Sequence, residues 1–325
     1  MKRVGNLFDS IAEVDNIALA ACKAFRGKSQ SQEVIEFRQN FMDNIVAIRN
    51  GILSESIQVG NYRRFIVYEP KLREICAAPL AQRILQHAIM NVCHEYFERC
   101  LIYDCYASRP LKGTHKAILR VKQKSREFKY YVKLDIRKFF DSIDHSILKN
   151  RLARLIKDKS LFRLFNRIID SHGDGCGLPI GNLTSQYFAN FYLSSVDHYM
   201  KEVVKTPVYV RYMDDVIIMA KDKAALLMLM RKYVEFVDKN LNLRVKPPIV
   251  GNINNGIPFL GYRIFRDKIL MNGKGKRRFR KNLRLLGELF YKAEISEREY
   301  SNRLMSNLAY AGFADSYVFR KKLKL

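Results

Sequence analysis

Apolar residues recur at helical spacing in several stretches of the chain. Within residues 6–26, one face of a predicted helix is formed by Leu7, Ile11, Val14 and Ala18. Gly27 follows as a stop signal. The same spacing predicts further helices over residues 31–50 (ending before Gly51), 79–98, 145–172, 183–204 and 222–240.

Shorter apolar runs between these helices have the length of β-strands. Residues 56–68 predict two strands around Gly60-Asn61, and residues 129–136 predict a strand that ends in an acid. Residues 207–220 predict two strands joined at Met213-Asp214-Asp215, and residues 257–271 predict a hairpin. The resulting order β-α-α-β-β-α-β favours an open sheet covered by helices on one face, which is an α+β fold.

The charge balance of the chain indicates an anionic binding partner. The 325 residues are 48% hydrophobic, as in a folded protein, but Lys and Arg number 58 against 32 acids. A net charge of +26 favours a polyanion such as nucleic acid, whose binding releases many counterions. The cluster KGKRRFRK at 274–281 has the density to follow a phosphate backbone, with Phe279 between its cations. Charge alone leaves passive binding and a solvated helix face open.

Other compositional features exclude several classes of protein. No apolar run approaches the length of a bilayer span, so we expect no membrane attachment. Acidic residues interrupt the N-terminal apolar stretch, which therefore does not resemble a signal peptide. The six cysteines lack CxxC or zinc-finger spacing and are interpreted as reduced thiols, mostly buried, of a cytoplasmic protein.

Three carboxylates are the candidates for chemistry. Asp214 and Asp215 lie at the tip of an apolar hairpin, where their like charges repel unless a cation separates them. Asp135 ends another apolar strand, so the three side chains converge if the two strands are neighbours. Oxygen ligands in this number suit Mg²⁺, and two such ions can activate a 3′-hydroxyl and stabilise pyrophosphate. Taken singly, each Asp also fits a residue that caps a turn.

Three segments occur in an order that resembles the reverse transcriptases. LDIRKFFDSID is similar to polymerase motif A, GLPIGNLTSQ to motif B, and YMDD to motif C. Upstream, YRRFIVYEPKLREICAAPLAQRILQHAIM resembles the fingers of bacterial members, and GIPFLGYRI resembles the primer-grip hairpin. The resemblance covers about residues 5 to 265. It implies a right-hand polymerase fold with fingers (1–125), palm (126–265) and a short basic thumb (266–325), and RNA-directed DNA synthesis from dNTPs on an RNA template and an RNA/DNA duplex.

The resemblance also implies roles for individual positions. The metal ligands for two Mg²⁺ ions, with Mn²⁺ as a substitute, would be Asp135, Asp214, Asp215 and the carbonyl of Ile136. The incoming dNTP would contact Lys71, Arg73, Phe140, Ile180, Gly181 and Lys246. Among these, Phe140 matches the aromatic that rejects a 2′-hydroxyl, with core packing as the alternative, and Lys246 matches a proton donor to pyrophosphate. The primer grip would be Phe259, Leu260, Gly261 and Tyr262.

Motif B departs from the common pattern in a way that suggests a subfamily. Most reverse transcriptases have Gln-Gly where this chain has Ile180-Gly181, and the following Ser185-Gln186 resembles the enzymes of diversity-generating retroelements. That resemblance implies error-prone cDNA made from a template-repeat RNA, with errors opposite adenine, and a small basic accessory protein as partner. The alternatives are a retron-type or other defence-associated reverse transcriptase, and an RNA-binding scaffold with a decayed active site.

Overall fold

The computed structural model describes residues 3–68 and 72–323, which combine helices with three antiparallel sheets. The described helices are α1 (Phe8–Ile11), α2 (Val14–Ala24), α3 (Gln32–Gln39), α4 (Phe41–Leu53), α5 (Leu80–Arg99), α6 (Thr114–Ser125), α7 (His145–Leu155), α8 (Lys159–Asp170), α9 (Leu183–His198), α10 (Lys223–Leu241), α11 (Gly273–Tyr291), α12 (Glu297–Gly312) and α13 (Tyr317–Lys321). The described strands are β1 (Arg63–Val67), β2 (Arg73–Ala77), β3 (Tyr130–Leu134), β4 (Val208–Tyr212), β5 (Asp215–Ala220), β6 (Ile249–Asn252), β7 (Ile257–Phe259), β8 (Tyr262–Ile264) and β9 (Ile269–Met271).

Contacts divide the described residues into two compact units. The first unit contains the residues up to 102, 136–199 and 235–244, and the second contains 103–135, 200–234 and the residues from 245 onwards. In the first unit, α5 packs against α2 and α9. The ring of Phe97 from α5 lies against a group of aromatic side chains, namely Phe165, Tyr187, Phe188 and Phe191. The same unit contains the small two-stranded sheet of β1 and β2.

Several predicted boundaries in the first unit are wrong. The helix predicted over 6–26 is interrupted before α2, because Glu13 has extended backbone; Gly27 does follow its end with a left-handed φ of 71°. The helix predicted over 31–50 is divided at Asn40, and α4 continues through Gly51. The helix predicted over 145–172 is divided because the side chain of Asp158 accepts a hydrogen bond from the first turn of α8.

The strand pair predicted around Gly60-Asn61 is also wrong. Both residues have positive φ, but residues 56–62 form no strand. Instead β1 pairs with β2, which lies downstream, with Arg63 opposite Ala77 and Val67 opposite Arg73. The helix predicted over 79–98 is confirmed as α5.

The second unit is built on a four-stranded antiparallel sheet in the order β4-β5-β3-β6. The strands predicted within 129–136 and 207–220 are confirmed as β3, β4 and β5. Edge strand β6 and helix α6 were not predicted. At Gly251 in β6, a side chain would come within 2.7 Å of the ring end of Tyr131 on β3, so glycine leaves room for that ring in its present position.

A second sheet and three helices complete this unit. Residues 257–271 form the three strands β7-β8-β9 instead of the predicted hairpin. The basic cluster 274–281 lies on α11, whose N-cap Asn272 accepts a hydrogen bond from Gly275 N at 2.7 Å. Phe279 is 1% exposed in the hydrophobic core, which corrects its predicted place between cations that meet nucleic acid. None of the helices in the described part of the chain has the length and apolar character needed to cross a bilayer.

Candidate active site

The ends of two neighbouring strands bring the three carboxylates to one edge of the four-stranded sheet. Asp135 directly follows β3, and Asp215 is the first residue of β5. The two strands pair antiparallel with Leu134 opposite Val216, so the residues just beyond this pair lie side by side. Asp214 occupies the turn that precedes β5. The convergence expected if the strands were neighbours is therefore present.

The turn that carries two of these acids is tightly constrained. Tyr212 pairs with Asp215, so only Met213 and Asp214 connect the strands. Met213 has a left-handed φ of 54°, which is uncommon for a residue with a side chain. The guanidinium of Arg211 is fully buried and donates a hydrogen bond to the Met213 carbonyl at 3.0 Å. A buried, charge-assisted donor thus fixes the backbone on which the acids stand.

Burial makes this group of acids electrostatically unfavourable. Burial and the neighbouring charge of Asp135 raise the pKa of Asp214 to about 6. Burial also raises the pKa of Asp215 to about 7, although the ammonium group of Lys133 opposes that rise. Carboxylates that hold their protons this strongly repel one another when ionised, and a nearby cation relieves the repulsion.

Two lysines supply positive charge at this edge. Lys246 Nζ lies 2.6 Å from Asp135 Oδ1, and its backbone N–H donates to the Asp135 carbonyl at 2.8 Å. Lys133 Nζ lies 2.9 Å from Asp215 Oδ2. Lys133 was not singled out from the sequence, although a lysine inside the apolar strand YYVKL, two residues before an acid, is a signal that could have identified it.

The donor set fits a hard divalent cation, but no cage is preassembled. Asp215 Oδ1 is buried and has no hydrogen-bond partner in the described structure, so an acceptor is available at the centre of the group. Carboxylate oxygens are the ligands that Mg²⁺ prefers. Within residues 3–68 and 72–323, however, no three His, Cys, Asp or Glu side chains already form a metal-binding cluster. Ile136, whose carbonyl was a predicted ligand, is buried directly after Asp135.

The first unit brings together most of the residues predicted to contact a dNTP. The carbonyl of Ile180 accepts a hydrogen bond from Cys76 N on β2 at 2.8 Å, so the motif B loop lies along the strand that begins with Arg73. Gly181 has a φ of 109°, and a side chain there would lie 3.0 Å from Ile75 Cγ2. Glycine is therefore needed for this close approach of loop and strand.

Motif A is tied to the same loop. The carbonyl of Phe140 accepts a hydrogen bond from Leu178 N at 2.8 Å. The two adjacent aromatics differ in burial, since Phe139 belongs to the core and Phe140 is only half-buried. This difference is the one expected if Phe140 contacts a ligand and Phe139 does not. Lys71 lies outside the described residues.

The predicted primer grip is a tight turn between β7 and β8. Phe259 and Tyr262 pair across the turn, and both are buried in the core at 1% exposure. Leu260 and Gly261 form its tip with φ values of 47° and 89°. The Tyr262 hydroxyl donates to the carbonyl of Tyr310 on α12 at 3.1 Å. Only the tip is accessible to a ligand, while the two aromatic residues anchor it.

The sequence of the chain is similar to a known protein family and to several individual proteins. A family model described as "Reverse transcriptase (RNA-dependent DNA polymerase)" matches residues 68–264. Protein YkfC of Escherichia coli (strain K12) is 24% identical over 277 residues, which cover 69% of this chain and 73% of that protein. The retron Ec73 reverse transcriptase of Escherichia coli is 25% identical over 261 residues, which cover 74% of this chain and 78% of that protein.

Some relatives are far longer than this chain. The match to the putative COX1/OXI3 intron 2 protein of Saccharomyces cerevisiae, 25% identical, covers 37% of this chain and only 15% of that protein. The family match is independent of those additional regions. It spans more than half of the chain and contains the segments around Asp135, Ile180 and Asp214. The chain therefore belongs to the reverse transcriptase (RNA-dependent DNA polymerase) family.

Proposed function

We propose that this chain is an RNA-directed DNA polymerase with its active site at Asp135, Asp214 and Asp215. The observation that carries the proposal is the convergence of three acids on adjacent strand ends, two of them with raised pKa, inside the segment that matches the family. Such a site is unfavourable unless cations occupy it. We assign residues 1–125 to the fingers, 126–265 to the palm and 266–325 to the thumb.

The protein groups at this edge would hold and orient the reacting ends. Asp135, Asp214 and Asp215, with the carbonyl of Ile136, would hold two Mg²⁺ ions. When bound, these ions supply Lewis-acid activation of the primer 3′-hydroxyl and stabilisation of the leaving pyrophosphate. In the metal-free chain, Lys246 is the counter-ion of Asp135. Once released from that carboxylate, its ammonium group would be available to protonate pyrophosphate.

The first unit would bind the incoming nucleotide. Lys71 and Arg73 would contact the triphosphate, because guanidinium and ammonium groups pair strongly with phosphate oxygens. Phe140, half-buried beside the motif B loop, would lie under the sugar and exclude a 2′-hydroxyl. Ile180 and Gly181 would border the base pair. The tip at Leu260 and Gly261, held by two buried aromatics, would position the primer terminus.

The finer assignment is to a diversity-generating retroelement. Support comes from Ile180, which replaces a hydrogen-bonding Gln, and from Ser185-Gln186 in the same segment. On this assignment the chain copies a template-repeat RNA with errors opposite adenine and acts with a small basic accessory protein. A retron-type enzyme is the second candidate, because the similarity to the retron Ec73 reverse transcriptase extends over 74% of the chain.

The proposal is tested by primer extension on an RNA template with Mg²⁺ and dNTPs. Asp214→Asn or Asp135→Asn should abolish extension and leave RNA affinity within about twofold, because each removes a metal ligand and not the basic surface. Asp267→Asn, at an exposed acid between β8 and β9, is the matched control and should extend normally. Near-normal extension by either active-site variant would sink the assignment.

A further inference from the structure

The outward face of α6, with the loop before it, is a basic and apolar surface outside the proposed active site. We name it the α6 surface and define it by six residues that line a cavity of about 580 Å³: Tyr103, Leu111, Lys112, Lys116, Leu119 and Arg120. The opposite face of the helix, with Ala117, Ile118 and Val121, is buried against a core that includes β4. The α6 surface therefore faces solvent on the outside of the second unit.

The charge of this surface is unbalanced. Residues 103–127 contain seven Lys or Arg against two acids, and α6 itself has four cations and no acid. Lys116, Arg120 and Lys124 follow one another at i, i+4 spacing, an arrangement of like charges that destabilises a helix. The two acids offset part of this charge, since Asp104 pairs with Arg120 at 2.9 Å and Glu127 lies 3.7 Å from Lys124. The four cations of α6 itself give the helix a positive charge that is complementary to a polyanion.

Large apolar groups lie among these cations. Tyr103 is 70% exposed, and the ammonium of Lys112 lies 3.4 Å from its ring centroid and holds it in place. Leu111 is 85% exposed and also has a left-handed φ of 59°, so two unfavourable features coincide at one residue. Leu119 is half exposed on the adjacent turn of helix. Exposure of these apolar side chains to water is unfavourable in a helix that is only solvated, whereas a nucleic-acid base can stack on the ring of Tyr103 and contact the neighbouring leucines.

We propose that the α6 surface binds single-stranded RNA through base stacking on Tyr103 and phosphate contacts from Lys116 and its neighbouring cations. Exposed aromatics beside cations are the usual platform for single strands, since every base has a face to stack and every linkage a charge to neutralise. The inference rests on the proposed function only in that RNA is the polymer being copied. An upstream or downstream part of the same RNA could then be held while another part is copied.

The test measures a second binding site on the full chain. The duplex groove is first saturated with an unlabelled, chain-terminated RNA/DNA primer–template, and a fluorescent oligouridine is then titrated. We expect Tyr103→Ala to weaken oligouridine binding about fivefold or more, and Lys116→Gln to make the log–log salt dependence shallower by about 0.7. The matched controls Tyr291→Ala, at a 92% exposed tyrosine, and Lys159→Gln, at an exposed lysine of the first unit, should leave both quantities unchanged.

Two sets of binding results would overturn the inference. Absence of oligouridine binding to the saturated wild-type chain, or binding that both variants retain, would show that RNA does not use this surface and would favour a protein partner there. Weakened primer–template affinity in the same variants would assign the surface to the duplex groove. Primer extension by the two variants at saturating primer–template is measured in parallel. Failure of the wild type to extend a primer would contradict the proposed function without affecting the oligouridine result.

Discussion

At the scale of single residues, the proposed sugar selection would depend on the difference in burial between two adjacent aromatics. Phe139 is buried and Phe140 is half-buried, with the backbone of Phe140 fixed by Leu178. Phe140→Ala should therefore leave the fold intact and raise ribonucleotide incorporation about tenfold or more, because the discrimination is steric. Single-nucleotide incorporation with dNTP and NTP measures the ratio. Phe139→Leu, which keeps an apolar group in the core, should leave sugar selection unchanged, and an unchanged ratio in the Phe140 variant would identify Phe140 as core.

Fidelity is expected to depend on the side chain of Ile180. A Gln there offers a donor and an acceptor, whereas an isoleucine offers neither and is stiff at its β-branch. Because the loop is held through the Ile180 carbonyl, Ile180→Gln changes the side chain without removing that hydrogen bond. One such contact is worth about 1 kcal/mol, or several-fold in rate. We expect fewer errors opposite adenine, because the correct pair gains more from the contact than a mismatch does.

The adenine experiment compares cDNAs copied from one RNA by both versions of the enzyme. Leu183→Gln, which introduces the same amide three residues later, serves as the control and should keep the parental error rate. If the active Ile180 variant and the parent have the same error rate opposite adenine, the side chain of Ile180 does not set fidelity. Hydrogen-bond number alone does not single out adenine, because uracil forms the same number of Watson–Crick bonds.

At the scale of secondary-structure elements, the buried acids of the β4–β5 hairpin lower the free energy of unfolding when they ionise. The pKa of Asp215 is about 7 in the folded chain and near 3.8 when exposed, so the folded state binds the extra proton between these values. The stability of the metal-free chain should therefore fall as pH rises from about 4 to about 7. Asp215→Asn removes the carboxylate whose ionisation destabilises the fold, so it should stabilise the chain above pH 7. The variant also removes the ion-pair partner of Lys133, so we expect a net gain of only about 1–3 kcal/mol.

Urea unfolding in chelator at pH 5 and pH 8 checks this expectation. The gain from Asp215→Asn should be several-fold larger at the higher pH, whereas Asp267→Asn, at an exposed acid, should show no such difference. Equal gains at both pH values would mean that Asp215 does not titrate between them. Any gain in stability from Asp215→Asn would then come from packing and not from titration.

Sequence periodicity predicted the elements that contain the site better than the elements around it. The runs that became β3, β4 and β5 are mostly buried and rich in β-branched and aromatic residues, so their type could be predicted from composition. Asp135 directly follows β3, and Asp214 and Asp215 mark the turn between β4 and β5. The helices over 6–26 and 31–50 were predicted too long because their breaks at Glu13 and Asn40 involve neither Gly nor Pro. Strand β6 (IVGN) is too short to be recognised without its partner β3.

Some residues of the candidate site could be identified from the sequence, and others only from the structure. Asp135, Asp214 and Asp215 could be found because ionisable residues at the ends of apolar strands are conspicuous. For Lys133 the sequence offers a weaker signal, a lysine inside an apolar strand two residues before an acid, and only the pairing of β3 with β5 shows that its partner is Asp215. The burial of Phe279 was also inaccessible, since its position among cations does not reveal which way the side chain points on α11.

At the scale of the whole molecule, the net charge limits how a basic partner can bind. A chain with a net charge of +26 gains nothing from general attraction to a second cationic protein. If the proposed basic accessory protein exists, we expect it to dock on a restricted acidic or apolar patch, or to be joined through RNA. Co-purification before and after nuclease treatment distinguishes these arrangements. Survival of the complex in both nuclease and high salt would exclude the RNA bridge.

The order of strands in the four-stranded sheet has a consequence for how the protein is made. Of the four strands in this sheet, β3 is synthesised first. The two strands that flank it come later, since β5 begins 81 residues after β3 ends and β6 follows β5. At typical rates of translation, β3 remains without either neighbour for roughly 4 to 16 s. During that time an apolar strand with two open edges is a target for aggregation. Slower synthesis should lengthen this exposure, and the yield of soluble chain should depend on chaperones that cover β3 until β5 emerges.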